Sequence, residues 1–354
     1  MKQIRAEITG IRYKPFLCRT LDTFSISSLQ IALASHASFV LNVGDEGSVA
    51  ISWWVSAKRT RSYPYMRVYD TLAFPGKKVT VIPIFKDEGV EGDRDFLQWD
   101  TISLMSLLGV YVIIAFYVDA ERSSHYECKI TKQRFDSRYL QKTIEDILSY
   151  QSDPLHWNIA QVESVGAICQ RALESYAILS AKLSVPMHSA ASASKRIEEL
   201  LKGKDNFMKL SRGLAQKAQF REGHTMQPKE SLRGQKAILT IKNYLGGYYY
   251  FTADEAWVEG NDLYLVEGKH TASSNLPAMG DIKDGLVKMI LFSNLQNTEI
   301  DTCRYNPIAV LKLTSGKNVA LQSLTVKEDE ILEGLKQEAS YNQFRIILND
   351  TFLV

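Results

Sequence analysis

Two continuous apolar runs, Val79 to Phe85 and Val110 to Val118, flank a stretch with helical spacing, Phe96 to Leu108, whose apolar positions are Phe96, Trp99, Ile102 and Leu107. A strand with one wet face alternates apolar and polar residues, whereas a strand that is apolar throughout is covered on both faces. Strand, helix, strand with both strands apolar predicts a parallel βαβ unit. The first half of the chain is therefore expected to be an α/β layer structure.

Other local signals are compatible with that frame. Phe39 to Val43 and Ser48 to Val55 are β-rich and separated by Gly44-Asp45-Glu46-Gly47, which predicts a hairpin. Tyr139 to Tyr150 and Asn158 to Leu183 carry apolar residues at helical spacing. The small polar stretch Pro186 to Ser194 is the best linker candidate. It suggests two domains, 1–187 and 188–354, a sensible division for a chain of 354 residues.

Composition removes several classes. Hydrophobic residues make up 45% and charged residues 23%, the mix of a globular protein rather than a disordered one. The most apolar run, Leu104 to Tyr117, falls short of the roughly 18 residues needed to span a bilayer. Lys2, Arg5 and Glu7 are not followed by a long apolar segment, so no signal peptide is expected. Cys18, Cys128, Cys169 and Cys303 show no paired spacing, which disfavours a disulfide framework or structural zinc and suits a reducing cytoplasm. They read as buried small apolar residues. There is no GxxxxGKS/T, GxSxG or HExxH run.

Charge is unevenly spread. The whole chain carries a formal +2, yet residues 195–236 hold eleven cations against five acids, a local surplus of six. Such a basic segment in a near-neutral protein favours a polyanionic partner. Lys195, Arg196, Lys209 and Arg212 are the candidate phosphate contacts there. A second candidate is the loop from Lys58 to Arg67, where Lys58, Arg59, Arg61 and Arg67 alternate with tyrosines suited to stacking. A solvated loop is the alternative. The acids from Asp87 to Asp100 suit either a helix N-terminus, which we prefer, or a metal site.

The C-terminal part carries the chemistry. Tyr248 to Val258 and Leu263 to Val266 are β-prone and separated by Glu259-Gly260-Asn261-Asp262, predicting a hairpin. Asp281 to Leu295 is helical and Ile308 to Leu313 is another apolar strand. Residues two apart on a strand share a face, so Glu267 and Lys269 project together. Asp254 lies on the partner strand and can reach them. Two carboxylates and the Gly268 carbonyl form a hard oxygen set suited to Mg²⁺. Lys269 is placed to stabilise charge on a phosphoryl oxygen or to help activate a water. Glu255 and Asp262 remain alternatives for the first acid. His270 reads as a satisfied structural histidine.

Asp254, then Glu267-Gly268-Lys269 on a strand, then a helix and a strand, resembles the PD-(D/E)XK nuclease superfamily over roughly residues 236–312. Ala253 stands where the family's motif has proline. Segments around residues 81–101 and 111–117 look like those of bacterial type II restriction endonucleases. The resemblance implies a mixed-sheet, restriction-endonuclease-like core with helices on both faces, joined to the N-terminal α/β domain. It implies Asp254, Glu267 and Lys269 as catalytic residues and Asp254, Glu267 and Gly268 as holders of Mg²⁺. The expected partner is double-stranded DNA, cut by a cytoplasmic, nucleoid-associated homodimer. A DNA methyltransferase is expected as a genetic rather than physical partner. A non-catalytic DNA-binding or assembly protein on the same fold, or a non-specific repair-type nuclease, is the alternative.

Overall fold

The computed structural model describes residues 2–58, 62–189, 216, 219–220, 235–244, 247–316 and 324–354. The chain divides into two compact units, one of residues 20–211 and one of residues 1–19 with 212–354. Both mix strands and helices. Among the described residues no helix is long and apolar enough to cross a membrane.

The first strand, β1 (Lys2–Ile8), belongs to the second of these units. Within residues 20–211 follow β2 (Thr23–Ser25), α1 (Leu29–Ser35), β3 (Ser38–Asn42), β4 (Ser48–Trp53), α2 (Pro64–Tyr69) and β5 (Lys77–Pro83). Next come β6 (Phe85–Asp87), β7 (Arg94–Phe96), α3 (Trp99–Leu107), β8 (Val110–Ala115), β9 (Tyr117–Arg122) and β10 (Ile130–Phe135). Three helices close the unit: α4 (Ser137–Ser149), α5 (Pro154–Glu163) and α6 (Val165–Leu183).

The main sheet of this unit runs β2-β3-β4-β5-β8. β5 and β8 are parallel, as the two apolar runs require, and every residue of β8 is buried. The β3–β4 hairpin forms around Gly44 and Gly47, both at positive φ, which glycine adopts at little cost. β8 is the sheet edge, and an unpaired edge would leave backbone groups unsatisfied. Asn158, fully buried on α5, completes it: its Oδ1 accepts from Val112 N at 2.7 Å and its Nδ2 donates to Val110 O at 3.0 Å. The helix expected over 158–183 is thus two helices meeting at Ser164.

The C-terminal unit continues with β11 (Gln235–Asn243), β12 (Tyr248–Glu259), β13 (Asp262–Thr271), α7 (Met279–Phe292), β14 (Gln296–Ile300) and β15 (Cys303–Ser315). It ends with α8 (Val326–Asn342), β16 (Arg345–Leu348) and β17 (Thr351–Phe352). β12 and β13 form the expected antiparallel hairpin, and α7 crosses over to β15, which is parallel to β13. The pairings close on themselves: β13 to β12, β12 to β11, β11 to β1, β1 to β14, β14 to β15, and β15 back to β13.

β1 is parallel to β11 from Lys2↔Ala237 to Ile8↔Asn243, which is why the first residues lie with the C-terminal unit rather than with a domain of residues 1–187. Residues 13–16 are tied to α8 in the same unit. Glu338, fully buried, accepts from Tyr13 Oη at 2.6 Å and Phe16 N at 2.9 Å. The four cysteines are free, but only Cys169 is buried, and Cys303 is exposed.

Candidate active site

The hairpin brings Asp254 onto the backbone of Gly268, between Glu267 and Lys269 in sequence. β12 carries one extra residue relative to β11, between the pairs Ala237↔Ala253 and Gln235↔Ala256. The β12–β13 ladder starts one step later, at Glu255↔Val266. Asp254 therefore sits in a bulge at the end of the ladder, and a bulge re-aims a side chain. Its Oδ2 accepts from Gly268 N at 2.8 Å. That bond satisfies a donor that the ladder no longer reaches.

Glu267 and Lys269 share a face of β13, and their charges meet at 2.9 Å. α7 lies on this face. A Cβ on Gly285 would stand 2.8 Å from Leu311 Cδ1 and 3.2 Å from Lys269 Cε, so glycine permits the helix to approach this closely. α7 also supplies two charged groups that the strand motif does not announce. Asp284 Oδ2 accepts from Lys269 Nζ at 3.1 Å, and Lys288 Nζ donates to Glu267 Oε2 at 2.6 Å and to Thr252 O at 3.3 Å. Asp281, Asp284 and Lys288 fall at i, i+3 and i+7, a charged stripe beside the apolar one; that spacing is the signal by which the sequence could have shown them.

The electrostatics assign roles. Glu267 is 3% exposed, and burial alone would raise its pKa. The ammonium groups of Lys288 and Lys269 overcome that and hold it down at about 2, so the carboxylate is ionised across the working pH range. Burial would lower the pKa of Lys269, but Glu267 and Asp284 outweigh it and hold the group above the ordinary lysine range. Lys269 is therefore a fixed positive charge. It suits stabilisation of a phosphoryl oxygen and does not suit removal of a proton from water.

The other candidates fall elsewhere. Glu255 faces the opposite side of the sheet and pairs with Lys312 at 2.8 Å, while Asp262 Oδ1 accepts from Asn306 Nδ2 at 3.3 Å beside the turn. His270 Nδ1 is 2.9 Å from Thr314 Oγ1, a structural contact. Asp254, Glu267 and the Gly268 carbonyl offer the oxygen chemistry that Mg²⁺ prefers. In the arrangement present, both Glu267 oxygens are engaged by ammonium groups. Among the described residues no group of three or more His, Cys, Asp and Glu is arranged to hold a metal ion.

In the other unit, the acids at 87–95 do not stand at a helix N-terminus. They lie on and around the β6–β7 hairpin, and only Asp100 occupies the first turn of α3. Two of them have close partners: Asp87 Oδ1 is 2.8 Å from His188 Nδ1, and Glu88 is paired with Lys86 at 2.8 Å and Lys129 at 3.2 Å. Of the candidate DNA contacts, Arg59, Arg61, Lys195, Arg196, Lys209 and Arg212 lie outside the described residues. Lys58 is exposed. Arg67 turns inward, stacked over Trp53 at 4.4 Å and donating to Trp53 O at 2.9 Å and Ser62 O at 3.1 Å. Tyr65 is likewise buried, its ring edge-on to Trp54. The loop's cation and aromatic pattern is thus partly core packing.

No family model, curated protein or solved structure matches this chain.

Proposed function

We propose that this protein is a Mg²⁺-dependent endonuclease that hydrolyses phosphodiester bonds of double-stranded DNA at a specific sequence, in the manner of a type II restriction enzyme. One observation carries the reading. Glu267 and Lys269 meet at 2.9 Å on β13 beside the close-packed helix α7, and Asp254 on the adjoining strand accepts from Gly268 N, between them in sequence, at 2.8 Å. On this reading the sheet and crossover correspond to a restriction-endonuclease-like core.

Asp254, Glu267 and the Gly268 carbonyl would hold Mg²⁺, which supplies a Lewis acid and a water of lowered pKa when bound. Lys269, permanently protonated and positioned by Asp284, offers its charge to the non-bridging oxygen where negative charge builds. Glu267 stays ionised because two lysines face it. Lys288 is the group that yields its place on Glu267 Oε2 to a divalent cation. The basic segment 195–236 and Lys58 hold the DNA backbone, and a homodimer in the bacterial cytoplasm, encoded beside a DNA methyltransferase, places one site on each strand.

The test is cleavage of phage-sized DNA by purified protein with Mg²⁺. Discrete fragments, lost in Lys269→Ala and Glu267→Gln while salt-sensitive DNA binding persists, are the expected result. Lys269→Ala cutting at the native rate overturns the site. A second reading is favoured by the engagement of both Glu267 oxygens: a non-catalytic DNA-binding or assembly protein that keeps the core. It is distinguished by binding without cleavage, and a smear of fragments marks a non-specific repair-type nuclease.

A further inference from the structure

The first unit repeats the constellation proposed for the second. The acids at 87–95 stand on and around a hairpin, so strand geometry governs where they point. β6 and β7 pair Lys86 with Asp95 and Asp87 with Arg94, and Glu88 N donates to Asp93 O at 3.1 Å, one step past β6. Alternate residues of a strand share a face, as do residues directly opposed. Lys86, Glu88 and Asp95 therefore lie on one face, and Asp87 and Arg94 on the other.

The correspondence with the Glu267 site is close. Glu88 is 7% exposed. Its Oε1 meets Lys86 at 2.8 Å and its Oε2 meets Lys129 at 3.2 Å, as Glu267 is held between Lys269 and Lys288. In each unit one of the two lysines is two residues from the glutamate, and an aspartate lies on the antiparallel partner strand. Lysine precedes glutamate here and follows it there, which leaves the shared face unchanged. A buried ion pair gives little stability over apolar packing, so stability does not account for keeping these charges away from water.

The hairpin stands where an α/β sheet binds its ligands, outside the carboxyl ends of parallel strands. β4, β5 and β8 are parallel. Leu97 N donates to Ile84 O at 2.9 Å and Ile84 N to Ala115 O at 2.8 Å, which fastens the hairpin to the ends of β5 and β8. Ser56, past the end of β4, donates from Oγ to Asp95 Oδ2 at 2.7 Å. Residues 86–95 hold five acids against two cations, and Lys129 adds only a third cation, so the surplus favours a positive ligand. We infer that Glu88 and Asp95, with the Ser56 hydroxyl, hold a divalent cation of the Mg²⁺ or Mn²⁺ class. Such an ion takes one or two carboxylates from the protein and fills its remaining places with water or substrate oxygens. An ionised carboxylate has about four lone-pair sites, so two ammonium groups do not exhaust Glu88. All of these residues belong to one unit, and the site does not rest on the proposed chemistry at Glu267.

The full chain is titrated with Mn²⁺, and bound ions are counted by electron paramagnetic resonance and calorimetry. Asp95→Asn keeps an acceptor for Ser56 Oγ. It should hold the thermal midpoint of the metal-free protein while weakening one Mn²⁺ site by about tenfold or more. Lys129→Met, at a side chain 29% exposed, relieves Glu88 of one competing cation. It should tighten the same ion by about two- to fivefold, the worth of a part-exposed ion pair, and misfolding cannot produce a gain. Glu267→Gln should leave this ion unchanged. An Asp95-dependent ion that survives Glu267→Gln supports the inference even where the Glu267 site binds none, so the two claims fail separately. DNA cleavage lost in Asp95→Asn and kept in Glu267→Gln supports it too and overturns the proposed site. Mn²⁺ affinity and stoichiometry unchanged in both Asp95→Asn and Lys129→Met overturn the inference, as does loss of every ion in Glu267→Gln.

Discussion

Lys288 Nζ stands 2.6 Å from Glu267 Oε2 while Lys269 Nζ stands 2.9 Å from Glu267 Oε1, so one buried carboxylate is held between a helix and its own strand. Each lysine has a separate consequence. Lys269 gains a second carboxylate in Asp284, whereas Lys288 is bound to Glu267 and, on the proposed function, would have to yield that place to the metal.

Replacing Lys288 by Met leaves Glu267 with one cation in a dry setting. Removing one partner of a buried pair is costly, and we expect a loss of about 2 to 4 kcal/mol in urea unfolding. The same variant should bind Mg²⁺ more tightly than the parent, read as a larger rise in thermal midpoint at a given Mg²⁺ concentration. An equal rise in both proteins would remove Lys288 from the metal's path.

Acid stability follows from the depressed Glu267 carboxyl. Its folded pKa of about 2 lies below the ordinary 4.5, so its contribution is fully present above pH 4.5 and is lost as pH falls toward 2. The size is about 3 kcal/mol. Glu267→Gln should show a shallower fall in unfolding free energy across that window, measured by chemical denaturation at stepped pH.

Gly285→Ala tests how closely α7 approaches the site. In an open helix the change stabilises by about 1 kcal/mol. Here the new methyl meets Leu311 Cδ1 at 2.8 Å and the Lys269 stem at 3.2 Å. We expect a net loss of about 1 to 2 kcal/mol and, if the proposed function holds, a larger proportional loss of cleavage, because Lys269 is displaced.

Lys77 holds the end of α4. Its Nζ donates to Ile147 O at 2.6 Å, Leu148 O at 2.8 Å and Tyr150 O at 2.6 Å. A cation thus covers carbonyls that the helix leaves unpaired. Lys77→Met should cost about 1.5 to 3 kcal/mol and lower hydrogen-exchange protection at residues 147–150 first.

The elements legible in the sequence are those with a local period. β5, α3 and β8, the β12–β13 hairpin, α7 and β15 each repeat their apolar residues at 2 or 3.6, or run apolar throughout, and none needs a distant partner to be recognised. Glu267 and Lys269 are legible for the same reason, since two-residue spacing fixes a shared face. Asp284 and Lys288 show in the sequence only as a charged stripe, and such a stripe reads as solvated until the opposing strand is known. The acids at 87–95 resemble a helix start in sequence because β6 and β7 are too short to show alternation. Arg67 resembles a phosphate contact because its burial depends on Trp53, and composition does not reveal such neighbours. Asn158 gives no signal because its role is to complete the edge of a strand 46 residues earlier in sequence.

The pairing of β1 with β11 also fixes an order of events during synthesis. Residues 2–8 leave the ribosome well before their parallel partner at 235–243 and their antiparallel neighbour at 296–300. The nascent chain must carry an unmatched strand through the whole translation of residues 20–211, which can fold meanwhile. Holding the first strand safe from other edges during that wait becomes a task for the cell, and slowing translation before residue 235 should lower the yield of soluble protein without changing its final activity.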